Sequence, residues 1–228
     1  MSPTVDPPDM TEDDATSVHP APEAAERSPY REIAAGVREW LEADSSGHDM
    51  HHVWRVFALG RTIAEAEGAD PEVVGAAALT HDLHRVVEGD GYVHPEETLD
   101  EVEAILAETP FPEEKVDAVR HAVEVHDEYD YRGDPRPTET LAAEVLQDAD
   151  NLDAIGAVGI ARNFVFTGDY GNAMWDADGY GAKGHFHDKL LKLREEMNTG
   201  TGREMAERRH RFTEEFVERF EREWHGEV

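Results

Sequence analysis

The chain has 228 residues, 21 of them basic and 52 acidic, for a formal net charge of −31. This length suits one good-sized domain or at most two small ones, and so acidic a surface opposes partnership with nucleic acid or an anionic membrane. The chain has no cysteine, which excludes disulfides, a thiolate zinc site and a cysteine nucleophile, and leaves His and carboxylates as the strong metal ligands.

The acid is spread along the whole sequence, and the only lysines are Lys115, Lys183, Lys189 and Lys192. This composition resembles that of halophile proteins, in which dense carboxylates hold water while ambient salt screens their repulsion. No apolar run approaches the roughly 18 residues of a membrane span. The first residues are acidic and proline-bearing, so no signal peptide is expected and the protein reads as soluble and cytoplasmic.

Residues 1–27 hold five prolines and little apolar content, and are expected to form a disordered tail ahead of a single domain over 28–228. Ser28-Pro29 reads as a cap and first-turn proline for a helix with Ile33, Val37 and Leu41 inward. Gly47-His48-Asp49 opens a second helix, whose inward face is Val56, Leu59 and Ile63 with Val53 at its margin. Pro71 starts a third, apolar all round from Val73 to Leu79, which ends near His81-Asp82. A loop with Gly89 and Gly91 follows. Pro95 begins a helix with Leu99, Val102 and Leu106 inward, and Pro112 one with Val116, Val119 and Val123 inward. Residues 128–137 form a polar loop. A helical stretch over 138–166 is expected to break near Asn151–Gly156, and residues 168–184, rich in Gly and Asp, read as a mobile loop or lid. A helix over 185–197 leads to a last one on which Phe212, Phe216, Phe220 and Trp224 recur. No strand, no 20–50-residue repeat and no glycine-rich phosphate loop is recognisable, so the fold class is all-α.

A helix that is apolar all round is normally buried, and a buried carboxylate pairs or binds a metal. His81-Asp82 therefore reads either as a structural pair or as part of a metal site. His52 falls in the middle of the Val56, Leu59, Ile63 face while His51 points away, and Arg55 lies at the edge of that face, where a guanidinium can meet a phosphate. His126 extends the Val116, Val119, Val123 face, and His121 falls on the opposite, solvated side. In Gln147-Asp148-Ala149-Asp150-Asn151-Leu152-Asp153, Asp148 and Asp150 flank a wide apolar arc on opposite sides, and periodicity does not choose between them. Imidazole and carboxylate without thiolate suit Mn, Fe, Co, Ni or Zn, with Mg also admissible.

The order His52, then His81-Asp82, then Asp150 resembles the metal signature of the HD superfamily of metal-dependent phosphohydrolases. His52-Val53-Trp54-Arg55-Val56, Ala76-Ala77-Ala78-Leu79-Thr80-His81-Asp82 and the segment from Gln147 to Ala157 are similar to its helices. His185-Phe186-His187-Asp188-Lys189-Leu190-Leu191-Lys192-Leu193 and Met197-Asn198-Thr199 resemble one bacterial and archaeal branch, and the likeness runs over about 30–224. The resemblance implies a helical bundle with a metal held by His52, His81, Asp82 and Asp150, and it selects Asp150 over Asp148. It implies a metal-activated water attacking phosphorus in a nucleotide, of pyrophosphohydrolase type, or a similar small phosphate ester. Arg55 would neutralise the developing charge, with Arg85, Arg162 and Lys189 as further substrate contacts and the 168–184 loop as a gate.

Relatives often carry an acid three residues after the Asp of His-Asp; here that residue is Arg85, preceded by His84. Either His84 substitutes as acid/base or the activated water acts unaided. His94 and His126 are candidates for a second metal. Two rival readings follow: a di-iron oxygenase using those histidines, and a non-catalytic nucleotide sensor. The chain is expected to act as a monomer or homodimer on a small phosphorylated partner.

Overall fold

The structure, a computed structural model, describes residues 21–87, 93–176 and 181–227. Among these, regular structure consists of helices α1 (Tyr30–Leu41), α2 (Met50–Glu67), α3 (Pro71–Thr80), α4 (Leu99–Ala107), α5 (Val116–Val125), α6 (Leu141–Asp153), α7 (Gly156–Asp169), α8 (Ala182–Asp188) and α9 (Gly200–Trp224), with short 3₁₀ turns and no strand. The all-α expectation holds. The loop glycines Gly89 and Gly91 and most of the expected tail, residues 1–20, lie outside the described residues.

The core is built on α2, which packs against α3 and α6. Asp49 starts α2 by accepting hydrogen bonds from the backbone N–H groups of His51 and His52, both at 3.0 Å, and Gly68 ends it at φ +78°. Val56, Phe57 and Ile63 are fully buried on its inner face, and each stabilises the fold by about 1.5–3 kcal/mol through apolar burial. Gly60 lets the helices close up: a Cβ there would sit 3.0 Å from Val74 Cγ1 and 3.7 Å from Ala149 Cβ. In α3, Asp70 caps a first turn opened by Pro71, and every residue from Val73 to Thr80 is buried, as an all-apolar helix requires. α5 lies across α3 and α6, α1 packs on α3 and α4 on α5, and α7 and α9 pack beside α6.

Several boundaries differ from the expected ones. Order begins before residue 28, because Glu23–Glu26 form a turn that buries Ala25. Pro95 and Pro112 introduce 3₁₀ turns, Pro95–Thr98 and Glu113–Lys115, before α4 and α5 begin. The long stretch starts at Leu141, capped by Thr140, and breaks after Asp153, where Gly156 takes φ +79° and donates its N–H to Thr213 Oγ1 at 2.8 Å. The helix expected over 185–197 is instead α8 followed by the turn Leu190–Lys192, because the Lys189 backbone leaves helical geometry (φ −130°, ψ −64°). Phe212 is exposed, whereas Phe216 and Phe220 pack with Phe164 and Phe186. The described part of the expected lid is tied down: Trp175 stacks on Trp224 at 5.2 Å, and Ala182 and Lys183 donate backbone N–H bonds to Ala173 and Met174. The rest of that segment, 177–180, lies outside the described residues.

α9 is docked by a buried carboxylate. Asp148 accepts hydrogen bonds from the backbone N–H of Asn198 (2.7 Å) and Thr199 (2.9 Å) and from Thr199 Oγ1 (2.7 Å). A Cβ on Gly202 would overlap Asp148 Oδ2. Gly202→Ala is therefore expected to destabilise the protein by about 2 kcal/mol despite its better helix propensity, read by denaturant unfolding at fixed salt.

Candidate metal centre

Three helices deliver the four residues. His52 lies in the first turn of α2, His81 and Asp82 follow the last turn of α3, and Asp150 lies in the last turn of α6. His52 Nε2 is 3.0 Å from Asp82 Oδ2, 3.2 Å from His81 Nε2 and 3.4 Å from Asp150 Oδ1. His81 Nε2 is 3.4 Å from Asp82 Oδ2 and 3.8 Å from Asp150 Oδ1. His52, His81 and Asp82 are buried, and Asp150 is only partly exposed.

The other ring nitrogens decide what those atoms are. His81 Nδ1 is 2.9 Å from the Ala78 carbonyl and His52 Nδ1 is 2.8 Å from Asp153 Oδ2. Both partners can only accept, so both Nδ1 atoms carry the proton and both Nε2 atoms present lone pairs in the neutral rings. Two lone pairs and two carboxylates thus face one another in a dry setting, and a cation or a proton must lie between them. With a proton as the only substitute, burial and Arg162 press the His52 imidazole down, but its hydrogen bonds to Asp150, Asp153 and Asp82 outweigh them and carry it up to about 10. Burial pushes His81 down to about 4, against the pull of Asp82 and Asp150. Burial would raise the Asp150 carboxyl, yet the His52 hydrogen bond and the His81 charge hold it below the usual carboxylate range. Two imidazoles and two carboxylates are a donor set that fits a divalent transition metal.

Asp153 supports this cluster from behind. It takes a bidentate pair from Arg55 (2.7 and 3.0 Å), the His52 Nδ1 proton and Arg162 Nη1 at 3.1 Å. Arg55 is thereby displaced from its expected role: its guanidinium is spent on Asp153, and it borders a separate outer groove rather than the cavity at the cluster. Asp148, occupied by the start of α9, is separated from Asp150 by structure and not only by resemblance.

The cluster opens into a cavity of about 190 Å³ walled by Asp82, Asp150, Arg85, Arg132, Arg162 and Lys189, with His48, His185, Asn163 and Phe166 further along. Arg85, Arg132 and Lys189 surround the buried Asp127 at 3.2, 3.5 and 3.7 Å, and Arg85 Nε is 3.5 Å from Asp82. Burial would raise the Asp127 carboxyl, but Arg85, Lys189 and Arg132 hold it well below its usual range. The cavity thus collects Arg85, Arg162 and Lys189, as expected from sequence, together with Arg132, His48 and His185, which sequence reasoning missed.

His84 is not in the wall; its Nδ1 donates to the His81 carbonyl at 3.1 Å, and burial presses its imidazole down to about 3. His126 is buried, donates Nδ1–H to the Val123 carbonyl, and places Nε2 3.9 Å from Asp82 Oδ1, grouping with His81 and Asp82. His94 does not join it. Its Nε2 meets Glu128 at 3.1 Å and its Nδ1 accepts the Glu96 N–H, holding the turn before α4. His121, expected to be solvated, is half-buried.

The family model of the HD domain matches residues 50–155, which include His52, His81, Asp82 and Asp150. YpgQ of Bacillus subtilis is 40% identical over 197 residues, 85% of this chain and 94% of YpgQ. The chain belongs to the HD superfamily. Among solved structures, that of YpgQ in complex with ADP is 36% identical, covers 83% of this chain and 97% of its own, and gives a TM-score of 0.64. An HD-superfamily hydrolase from Bacillus thuringiensis is 34% identical over 86% of this chain and 96% of its own, with a TM-score of 0.65. A protein from Lactobacillus plantarum, 30% identical over 86% and 96%, reaches 0.74. The chain therefore carries the HD-superfamily hydrolase fold, with a His/Asp cluster that could hold a divalent metal. No helix among the described residues is long and apolar enough to cross a membrane.

Calorimetric titration with Mn²⁺ and denaturant unfolding separate the three aspartates of α6. Asp150→Ala should remove Mn²⁺ binding, and Asp153→Asn should weaken it by about 10–100-fold by loosening His52. Asp148→Ala should leave binding intact while costing about 2–4 kcal/mol of stability, because buried donors of Asn198 and Thr199 lose their acceptor.

Proposed function

We propose that this protein is a metal-dependent phosphohydrolase that cleaves a nucleotide, in the manner of a pyrophosphohydrolase, or a similar small phosphate ester. The observation that carries the reading is the cavity itself: an acceptor-only cluster at one end and Arg85, Arg132, Arg162 and Lys189 on its walls, in a chain of net charge −31. So local a concentration of cations suits an anionic ligand. The ADP complex of YpgQ favours a nucleotide.

His52, His81, Asp82 and Asp150 would hold the metal, with Asp153 orienting His52. A divalent cation bound there supplies a lowered pKa for water and polarisation of a phosphoryl oxygen. Arg85, Arg132 and Lys189 hold the phosphates against the wall, their positions set by Asp127, and Arg162 closes the opposite side. Arg55 acts one layer back, through Asp153. Arg85 stands where relatives often have an acid and anchors Asp82, so it serves as a support and anion contact rather than as a proton carrier. The di-iron alternative loses His94, which is bound to Glu128. A sensor without hydrolysis would share the same cations and is separated from the enzyme by turnover alone.

Purified protein with Mn²⁺ in molar salt should convert at least one nucleoside triphosphate to monophosphate and pyrophosphate, or hydrolyse another member of a panel of cyclic nucleotides and sugar phosphates. Asp82→Ala should abolish both metal binding and turnover, and retention of activity in that variant would sink the assigned site. Lys189→Met should raise KM about tenfold, the equivalent of one weakened charged contact. kcat/KM should rise with ionic strength up to the point where screening weakens the cavity cations themselves.

A further inference from the structure

The chain has four lysines, and three of them lie over aromatic rings. Lys183 stands 4.9 Å from the centroid of the Trp175 ring, Lys189 4.9 Å from that of Tyr129, and Lys192 5.1 Å from that of Tyr131. The last two contacts belong to one construction. Lys189 sits at the break after α8 and Lys192 ends the turn that follows, while the two tyrosines follow α5 and stack on each other, 5.2 Å apart and 18° from parallel. Arg132 joins from the tyrosines' own loop, its guanidinium 4.8 Å from the Tyr129 centroid and 5.8 Å from that of Tyr131. Glu196 fixes that loop by accepting the backbone N–H groups of Asp130 (3.0 Å) and Tyr131 (3.3 Å).

Tyr129 is buried, and its hydroxyl has no hydrogen-bond partner among the described residues. What this side chain offers its surroundings is therefore its ring. An aromatic face carries negative potential and attracts a cation placed over it, more strongly where water is excluded. Lys189 and Arg132 both line the cavity at the cluster, and both approach the Asp127 carboxylate, at 3.7 and 3.5 Å. The Lys189 separation is too long for a hydrogen bond, so the carboxylate alone places the ammonium only loosely. A carboxylate and a ring also differ in what they do to the charge. Arg85, Arg132 and Lys189 against Asp127 are three cations against one anion, a surplus of two charges. A second carboxylate used as an anchor would halve that surplus, whereas an aromatic face restrains the same cations and leaves it whole.

We propose that Tyr129 is a positioning residue of the cationic wall, its ring holding the Lys189 ammonium and the Arg132 guanidinium where they meet a phosphate of the ligand. Tyr131, stacked behind it and covered by Lys192, is its backing. The proposal rests on the phosphohydrolase reading for turnover, while for binding it needs only an anionic ligand.

The test uses the full-length protein at saturating Mn²⁺, with ADP titrated calorimetrically as the probe and KM measured on any nucleotide of the panel that is turned over. Tyr129→Leu should weaken ADP binding and raise KM by about tenfold each, with kcat and Mn²⁺ affinity within about threefold of the parent. Tyr129→Phe, which returns the ring without the hydroxyl, should restore ADP affinity and KM to within about twofold of the parent. A role in packing alone would lower the melting temperature of Tyr129→Leu and leave the KM of its folded fraction unmoved. In a Lys189→Met background, Tyr129→Leu should weaken ADP binding by less than about threefold, because Arg132 alone is left for the ring to hold; full additivity would overturn the role. If thermal melts show that Tyr129→Leu is unfolded, Tyr129→Met carries the same expectation. ADP affinity and KM retained within about twofold in the variant without a ring refute the role, as does a Tyr129→Phe protein that behaves like Tyr129→Leu. A parent that binds ADP but turns over none of the panel defeats the phosphohydrolase reading, and weakened ADP binding in Tyr129→Leu then upholds the role. A parent that neither binds ADP nor turns over the panel defeats both.

Discussion

Everything near the centre of this bundle answers to one electrostatic problem: two imidazole lone pairs lie 3.2 Å apart, and each lies 3.0–3.8 Å from an oxygen of Asp82 and one of Asp150, in the protein interior. Acceptors repel, and with little water between them the repulsion is barely screened. Such a grouping persists only when a positive species lies inside it and the surrounding structure prevents relaxation. The restraint is visible at both imidazoles and behind them. Asp153 and the Ala78 carbonyl fix the two ring orientations, Arg55 and Arg162 fix Asp153, and Gly60 permits the close approach of α2 to α3 and α6. A smaller gap between these helices would be a clash, and a larger one would separate the donors.

A second constraint is set by charge. A protein of net charge −31 repels anions at long range, so any anionic ligand would have to be favoured locally. Arg85, Arg132 and Lys189 share the single carboxylate of Asp127, leaving the group positive, and Arg85 reaches from it to Asp82 as well. A buried carboxylate beside a cationic wall looks like a waste of charge. Its effect is the opposite, because a set of cations with no anchor would scatter to solvent, whereas an anchored set presents fixed donors.

The parts of this arrangement that were legible in the sequence are those set by local periodicity. His52 and His126 fall on inward helix faces, and a helix apolar from Val73 to Leu79, ending at His81-Asp82, could only be buried. Asp148 and Asp150 were not separable this way, since they flank the same apolar arc. Their difference is imposed by Asn198 and Thr199, about fifty residues downstream, and no local pattern carries it; the family resemblance supplied the choice. Arg55 failed for a related reason: its face was read correctly, but Asp153, on another helix, claims the guanidinium first. Asp127 and Arg132 follow α5 in a stretch with no regular period, and His48 precedes α2, so the wall of the cavity is built largely from connections that periodicity cannot address.

The placement of the cluster within its helices shows why this end of the bundle suits a cation. α3 ends beside His81, α5 beside His126, and α6 within its last turn at Asp150 and Asp153. Three helix C-termini therefore converge, and each carries partial negative charge on carbonyls that its own helix cannot satisfy. Two of those carbonyls, of Ala78 and Val123, take the Nδ1 protons of His81 and His126 and thereby turn each Nε2 away from its own helix end. The same backbone groups thus satisfy a helix terminus, select a tautomer and add to the negative potential. The fourth helix meets the site from its opposite, positive end, and there Asp49 caps the first N–H groups, so that the N-terminus of α2 does not oppose the cation its own His52 would bind.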